Sequence, residues 1–259
     1  MTHHPRFIAA AVLLTALTVF AGLGAGQMQP PAQPQNPPGG AATPATALGQ
    51  KAASAFSQMA VWATMPDMAG SGPYPAAYEM APGGLEYVVY QPNDLAAATR
   101  NRKLGVHIWG NGGCGADGAT ARFHLTEIAS RGYIAIAPGR ILSGPEAPPR
   151  SEAQAGAGRG AGPGGGASAE KMVSGPDDVA QPNALDDLKR IAVPVFVADH
   201  PGAGHVGLFL EPNGEATKIE LDWLAWRLDG DKAAARTFEG ADCGLCRDFR
   251  WVVYRKGIL

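Results

Sequence analysis

The sequence predicts an α/β fold, with a mostly parallel sheet, flanking helices and a reduced number of strands. Three observations predict it. Short apolar runs rich in β-branched and aromatic residues alternate with segments whose apolar residues recur at helical spacing. Gly-rich turns join the two kinds of segment. One run, Tyr133 to Ala137 (YIAIA), is continuously apolar, as strands buried in a parallel sheet are.

Taken in order, Leu85 to Tyr90 (LEYVVY) and Leu104 to Trp109 (LGVHIW) read as strands bounded by Pro and Gly. After the turn GNGGCGADG, Ala121, Leu125, Ile128 and Ala129 stand at helical spacing, and Gly132 closes that helix. The YIAIA strand follows. Beyond a Gly-rich stretch, Asn183 is placed to cap a short helix with Leu185, Leu188 and Ile191 inward, and Val193 to Ala198 (VPVFVA) reads as the next strand. Thr217 and Glu220 have the T-x-x-E spacing of a capping box, opening a helix that carries Ile219, Trp223, Leu224 and Leu228 and ends at Gly230. The pair Trp223 and Trp226 is core by its spacing.

Composition limits what the chain can do. With 21 basic and 23 acidic side chains among 259 residues, the net charge is -2, which excludes the basic footprint of a nucleic-acid binder. Three Cys are too few for a disulfide scaffold. Arg6 followed by the apolar run Ile8 to Leu23 and the small residues Gly24, Ala25 and Gly26 describes a secretory signal peptide over 1–26. Export to the periplasm or beyond is therefore expected, with no membrane association after cleavage. Residues 27–57 are rich in Pro, Gln, Ala and Gly and read as a flexible linker. The domain expected over 58–259 is interrupted by a low-complexity segment, 143–169, that carries no large apolar residue to bury.

In open α/β sheets ligands bind beyond the carboxyl ends of the strands, so the loops there carry the chemistry. Gly110 to Gly115 (GNGGCG) lies between a strand and a helix, where peptide N–H groups can converge on an anion or on a carbonyl oxygen that becomes negative during acyl transfer. Gly175 to Ala180 (GPDDVA) supplies acids. Asp199 to Gly207 (DHPGAGHVG) follows the VPVFVA strand and presents a His framed by glycines, free to act as a general base. An oxyanion-type loop, an acid and a His in this chain order form the layout of the Ser, Asp, His triad on α/β-hydrolases.

Three segments carry a more specific likeness. They are KLGVHIWGNGGCGADGATARFHLTEIASRGYIAIAPGR, SGPDDVAQPNALDDLKRIAVPVFVADHPGAGHVGLFLEPNG and DWLAWRLDGDKAAARTFEGADCGLCRDFRWVVYRKGI. Together they resemble exported bacterial α/β-hydrolases similar to dienelactone hydrolases and polyester hydrolases. The resemblance implies a carboxylic-ester hydrolase acting on a small or polymeric ester without a cofactor. It would place Asn111, Gly112, Gly113 and Cys114 in the oxyanion loop, with Asp178 as the triad acid and His205 as the triad base. The family tail carries the same Cys pattern as Cys243 and Cys246. In an oxidising compartment these two read as a local disulfide, since no second Cys pair or spaced His supports zinc.

The sequence departs from that family at its nucleophile. No G-x-S-x-G occurs in the chain, and the Gly-rich segment stands where the elbow, its strand and its helix would be. At about 30 residues per βαβ unit the loss is roughly 60 to 100 residues. Ser143, Ser168 and Ser174 lack a preceding apolar strand to hold a strained turn. Cys114 keeps the chain order Cys, Asp, His and gives a thiol alternative; it reads equally as a buried small residue or as a disulfide partner whose mate is absent. His107 and His124 read as packing or surface residues and His200 as a turn residue. A metal site from Asp178, Asp199, His200 and His205 has no supporting ligand spacing. The expected product is an α/β-hydrolase-family chain, an ester hydrolase by descent that keeps the oxyanion loop, acid and His but not the nucleophile. The alternatives are a catalytically silent ligand-binding module, a chain that folds poorly for want of central strands, or a thiol hydrolase through Cys114.

Overall fold

The computed structural model describes residues 11–12, 60–111, 115–145, 147, 171–174, 181–201 and 207–258. Residues 1–10 and 13–59, which include nearly all of the expected signal peptide and the whole expected linker, and most of the Gly-rich segment lie outside these. The strands are β1 (Ala11–Val12), β2 (Ala76–Met80), β3 (Tyr87–Pro92), β4 (Gly105–Ile108), β5 (Tyr133–Pro138), β6 (Lys171–Ser174), β7 (Val195–Asp199) and β8 (Val252–Lys256). The helices are α1 (Leu95–Thr99), α2 (Arg122–Ser130), α3 (Gln181–Arg190), α4 (Gly207–Leu210), α5 (Glu215–Leu224), α6 (Lys232–Ala235) and α7 (Gly244–Arg247). The molecule has α/β character.

The strands form two sheets, ordered β1-β4-β5-β3-β2 and β6-β7-β8. The expectation of a mostly parallel sheet needs correcting. β1 with β4, β4 with β5 and β6 with β7 are parallel, whereas β2 with β3, β3 with β5 and β7 with β8 are antiparallel. β3, a strand the hydrophobic pattern does single out, runs antiparallel to both of its neighbours, and the edge strand β8 supplies the third antiparallel pair.

One face of the larger sheet is covered by α2. Every residue of this helix is buried, and Leu125, Ile128 and Ala129 pack on Val88, Tyr90, Tyr133, Ala135 and Ala137. Burial alternates along β5, with Tyr133, Ala135 and Ala137 buried on the α2 face and Ile134 and Ile136 only partly buried on the opposite face. α5 bridges the sheets: Leu224 joins the first core, while Ile219 and Trp223 join a second with Phe196, Trp226, Phe238 and Trp251. Trp223 and Phe238 meet edge to face with ring centres 5.1 Å apart, so the Trp pair belongs to the core. A π-helical turn, Ala225–Asp229, extends α5 to Gly230, whose positive φ of 74° ends it as expected.

Two capping expectations are overturned. α3 begins at Gln181 with Pro182 in its first turn, so Asn183 lies inside the helix. α5 begins at Glu215 after Gly214, without a side-chain cap, and Thr217 and Glu220 are buried inward-facing residues. Their spacing fits a capping box, but it also places both on one face of a helix near its start.

The segment before β2 is fastened to α2. The backbone N–H and hydroxyl of Ser71 donate to Glu127 at 2.6 and 2.8 Å, and Arg131 donates at 2.8 Å. Burial alone would raise the Glu127 carboxyl, but these donors outweigh it and hold it below the ordinary carboxylate range. A carboxyl so lowered contributes stability above its unfolded value, near 4.3, and loses it as pH falls through the folded value. Glu127→Gln is accordingly expected to destabilise the chain at pH 7, with the gap in melting temperature from wild type closing below about pH 4. A gap independent of pH would contradict this assignment.

Candidate functional site

The site is organised around the carboxyl end of β4. Trp109 continues that strand, its N–H donating to the carbonyl of Ile136 at 2.8 Å, and its indole Nε1 donates to Asn111 Oδ1 at 3.0 Å. Asn111 Nδ2 donates to the carbonyls of Gly115 at 2.9 Å and Pro138 at 2.7 Å. The side chain of Asn111 thus closes its own loop and ties it to the end of β5. Its amide protons are both engaged by the protein, so any oxyanion contact from this loop must come from peptide N–H groups.

The turn after β5 locks onto the same loop from below. Arg140 N–H donates to the carbonyl of Ala116 at 2.8 Å. Gly139 has φ 103°, and a Cβ there would stand 2.2 Å from the oxygen of Ala116, so only Gly allows this approach. Asp117 Oδ1 accepts from the N–H groups of Ala119 and Leu142 at 3.0 and 3.1 Å. The buried Tyr90 hydroxyl donates to the carbonyl of Gly118 at 2.7 Å, and burial pushes its ionisation well above the ordinary range.

Under this loop lies a buried polar cluster. Glu220 of α5 is 3.6 Å from Nδ1 of His107 on β4 and 4.0 Å from Nε2 of His124 on α2. Thr217 Oγ1 is 2.9 Å from His124 Nδ1. The cluster joins β4 to both helices on that face. His107 and His124 are thus buried polar residues with an acid beside them, which corrects the surface alternative. The sequence did not reveal this because Glu220 had a plausible role as a cap. Trp109, His124 and Phe209 pack around the cluster, with Phe209 5.6 Å from Trp109 and 5.3 Å from His124 between ring centres.

The second sheet presents its strand ends through β6 and β7. Their register pairs Ser174 with Asp199, both last in their strands. Ser174 therefore has a preceding strand, contrary to expectation, which the four residues KMVS were too short to advertise. Asp199 is buried and accepts from Gln181 Nε2 at the start of α3. His200 packs edge-on against Trp251 with ring centres 4.8 Å apart, and its Nε2 is 3.9 Å from Glu215, which also pairs with Arg250. Its neighbours make His200 more than a turn residue. Ser143 is buried, away from solvent.

Of the sequence-predicted site residues, Asn111 is placed as described. Gly112, Gly113, Cys114, Asp178 and His205 lie outside the described residues, as does Ser168. The borders of their loops are visible. The loop of Cys114 runs from Asn111 to Gly115, which the Asn111 side chain joins. The loop of Asp178 is bracketed by Ser174 and Gln181, both beside Asp199. The loop of His205 ends at α4, whose Phe209 packs on Trp109 and His124.

Cys243 and Cys246 form a disulfide around α7, with Cα atoms 4.9 Å apart. Among the described residues no group of three or more His, Cys, Asp or Glu could hold a metal ion, and no helix is long and apolar enough to cross a membrane. No protein-family model matches the chain, and no curated protein matches it significantly.

The Asn111 contacts can be tested by stability. Asn111→Ala should cost about 1 kcal/mol, because the part-buried carbonyls of Gly115 and Pro138 lose their donors. Asn111→Asp should cost more, since it aims a charged acceptor at the carbonyls of Gly115 and Pro138. Urea unfolding in which Asn111→Asp is the milder substitution would refute the donor role.

Proposed function

We propose that the chain is an exported relative of the α/β-hydrolases that binds carboxylic esters, small or polymeric, at the carboxyl ends of its strands and lacks the nucleophile to hydrolyse them. The observation that carries this reading is the loop after β4. Trp109, Gly115 and Pro138 hold the Asn111 side chain as a scaffold, which leaves ester-carbonyl recognition to the peptide N–H groups of a Gly-rich strand-to-helix turn. Asp178 and His205 belong to loops whose borders lie at the ends of β6 and β7, as a triad acid and base require.

The division into two sheets supports the loss of the elbow unit. That unit would stand in the chain between β5 and β6, and these two strands belong to different sheets. With the elbow absent, His205 has no hydroxyl to deprotonate. A bound ester carbonyl is then held by peptide N–H groups with no acyl transfer to follow.

The test is activity-based labelling of the full chain. Incubation with a fluorophosphonate and with iodoacetamide, followed by peptide mapping and a p-nitrophenyl ester assay, should give no fluorophosphonate-labelled Ser and no p-nitrophenolate release above buffer. Labelling of Ser174 with loss of turnover in Ser174→Ala would contradict the proposal. Turnover abolished by iodoacetamide and by Cys114→Ser would assign the chemistry to the thiol instead.

A further inference from the structure

The described residues leave an edge problem at β4. One side of this strand is paired with β5 over Gly105–Ile108. The other side meets only β1, in parallel, with Ala11 opposite His107 and Val12 opposite Ile108. On the sheet face that α2 does not cover, Val106 and Ile108 are 40% and 36% exposed, and Ile134 and Ile136 beside them are only half-buried. An unpaired strand edge next to an apolar face is a template for another strand.

We propose that the N-terminal apolar segment, for as long as it remains on the chain, occupies this edge as an added strand, so that one segment serves both as an export signal and as a temporary cover for β4. The proposal does not depend on any ester chemistry. Ala11 and Val12 already stand in ladder register on the edge. They belong to the run Ile8 to Leu23, which contains neither charge nor Pro and so can continue a strand in either direction. Main-chain hydrogen bonds would supply affinity and alternating apolar residues the fit, as in strand addition. Tethering also favours this occupant over a second copy, because an intramolecular segment acts at an effective concentration of about millimolar. Removal of the leader would open the edge.

The test uses the full chain in a Cys114→Ser background. Val12→Cys combined with Ile108→Cys should form an intramolecular disulfide on mild oxidation, since these positions are register partners. Val12→Cys combined with Val106→Cys, two residues off register, separates the Cα atoms by about 8 Å, beyond disulfide reach. At least a tenfold excess of cross-linked monomer in the first variant is expected. Equal yields, or no cross-linked monomer, would overturn the proposal, and cross-linked dimer alone would assign the edge to a second copy. A readout without cysteines is amide exchange. The Trp109 N–H points to β5, so by alternation that of Ile108 points to the other side. Exchange at Ile108 should be at least tenfold slower in the unmodified chain than in the Ala11→Pro/Val12→Pro variant. Equal rates would again overturn the assignment.

Discussion

The three hydrogen bonds of the Asn111 side chain set the geometry on which the candidate site depends. They join the indole of Trp109, the carbonyl of Gly115 and the carbonyl of Pro138, and so bind together two strand ends and the loop between them. The close approach of Gly139 to Ala116 holds the loop from the other direction. A Gly-rich turn has high conformational entropy, and a converging set of N–H donors is useful only when the turn is fixed beforehand. Its rigidity therefore comes from the residues at its borders.

That loop rests on a buried acid. Glu220 between His107 and His124 couples β4 to α2 and α5, and α5 is also the helix that contributes to both cores. Buried polar side chains need hydrogen-bonding groups beside them, and here those groups come from β4 and α2. Phe209 extends the same unit to the loop of His205 by packing on Trp109 and His124. Two loops far apart in the chain thereby share one support. Among the described residues, Ile134 and Ile136 on the opposite face of the larger sheet are less covered than the side chains of this unit.

The sequence showed the parts whose signal is long and periodic. β5, α2 and the body of α5 were legible because continuous apolar runs and helical spacing leave few alternatives. β2, β6 and β8 were not, since AAYEM, KMVS and VVYRK are short or broken by charge, and pairing with neighbours decides their state. Thr217 and Glu220 misled for a physical reason: the T-x-x-E spacing that suits a cap also puts two polar residues on one helical face, and tertiary contacts with His124 and His107 took them. At the site, the Gly-rich turn and its position after a strand were readable. The engagement of the Asn111 amide was not, because its three partners include two carbonyls that any sequence would offer.

The central claim is that the loop after β4 binds an ester while no nucleophile attacks it. Titration of the full chain with p-nitrophenyl acetate, following p-nitrophenolate release and the amide resonances of Gly110 and Asn111 together, tests both halves at once. The account predicts a saturable shift of those resonances with release no faster than in buffer. Catalysed release of p-nitrophenolate, or resonances that do not move at saturating ester, would contradict it.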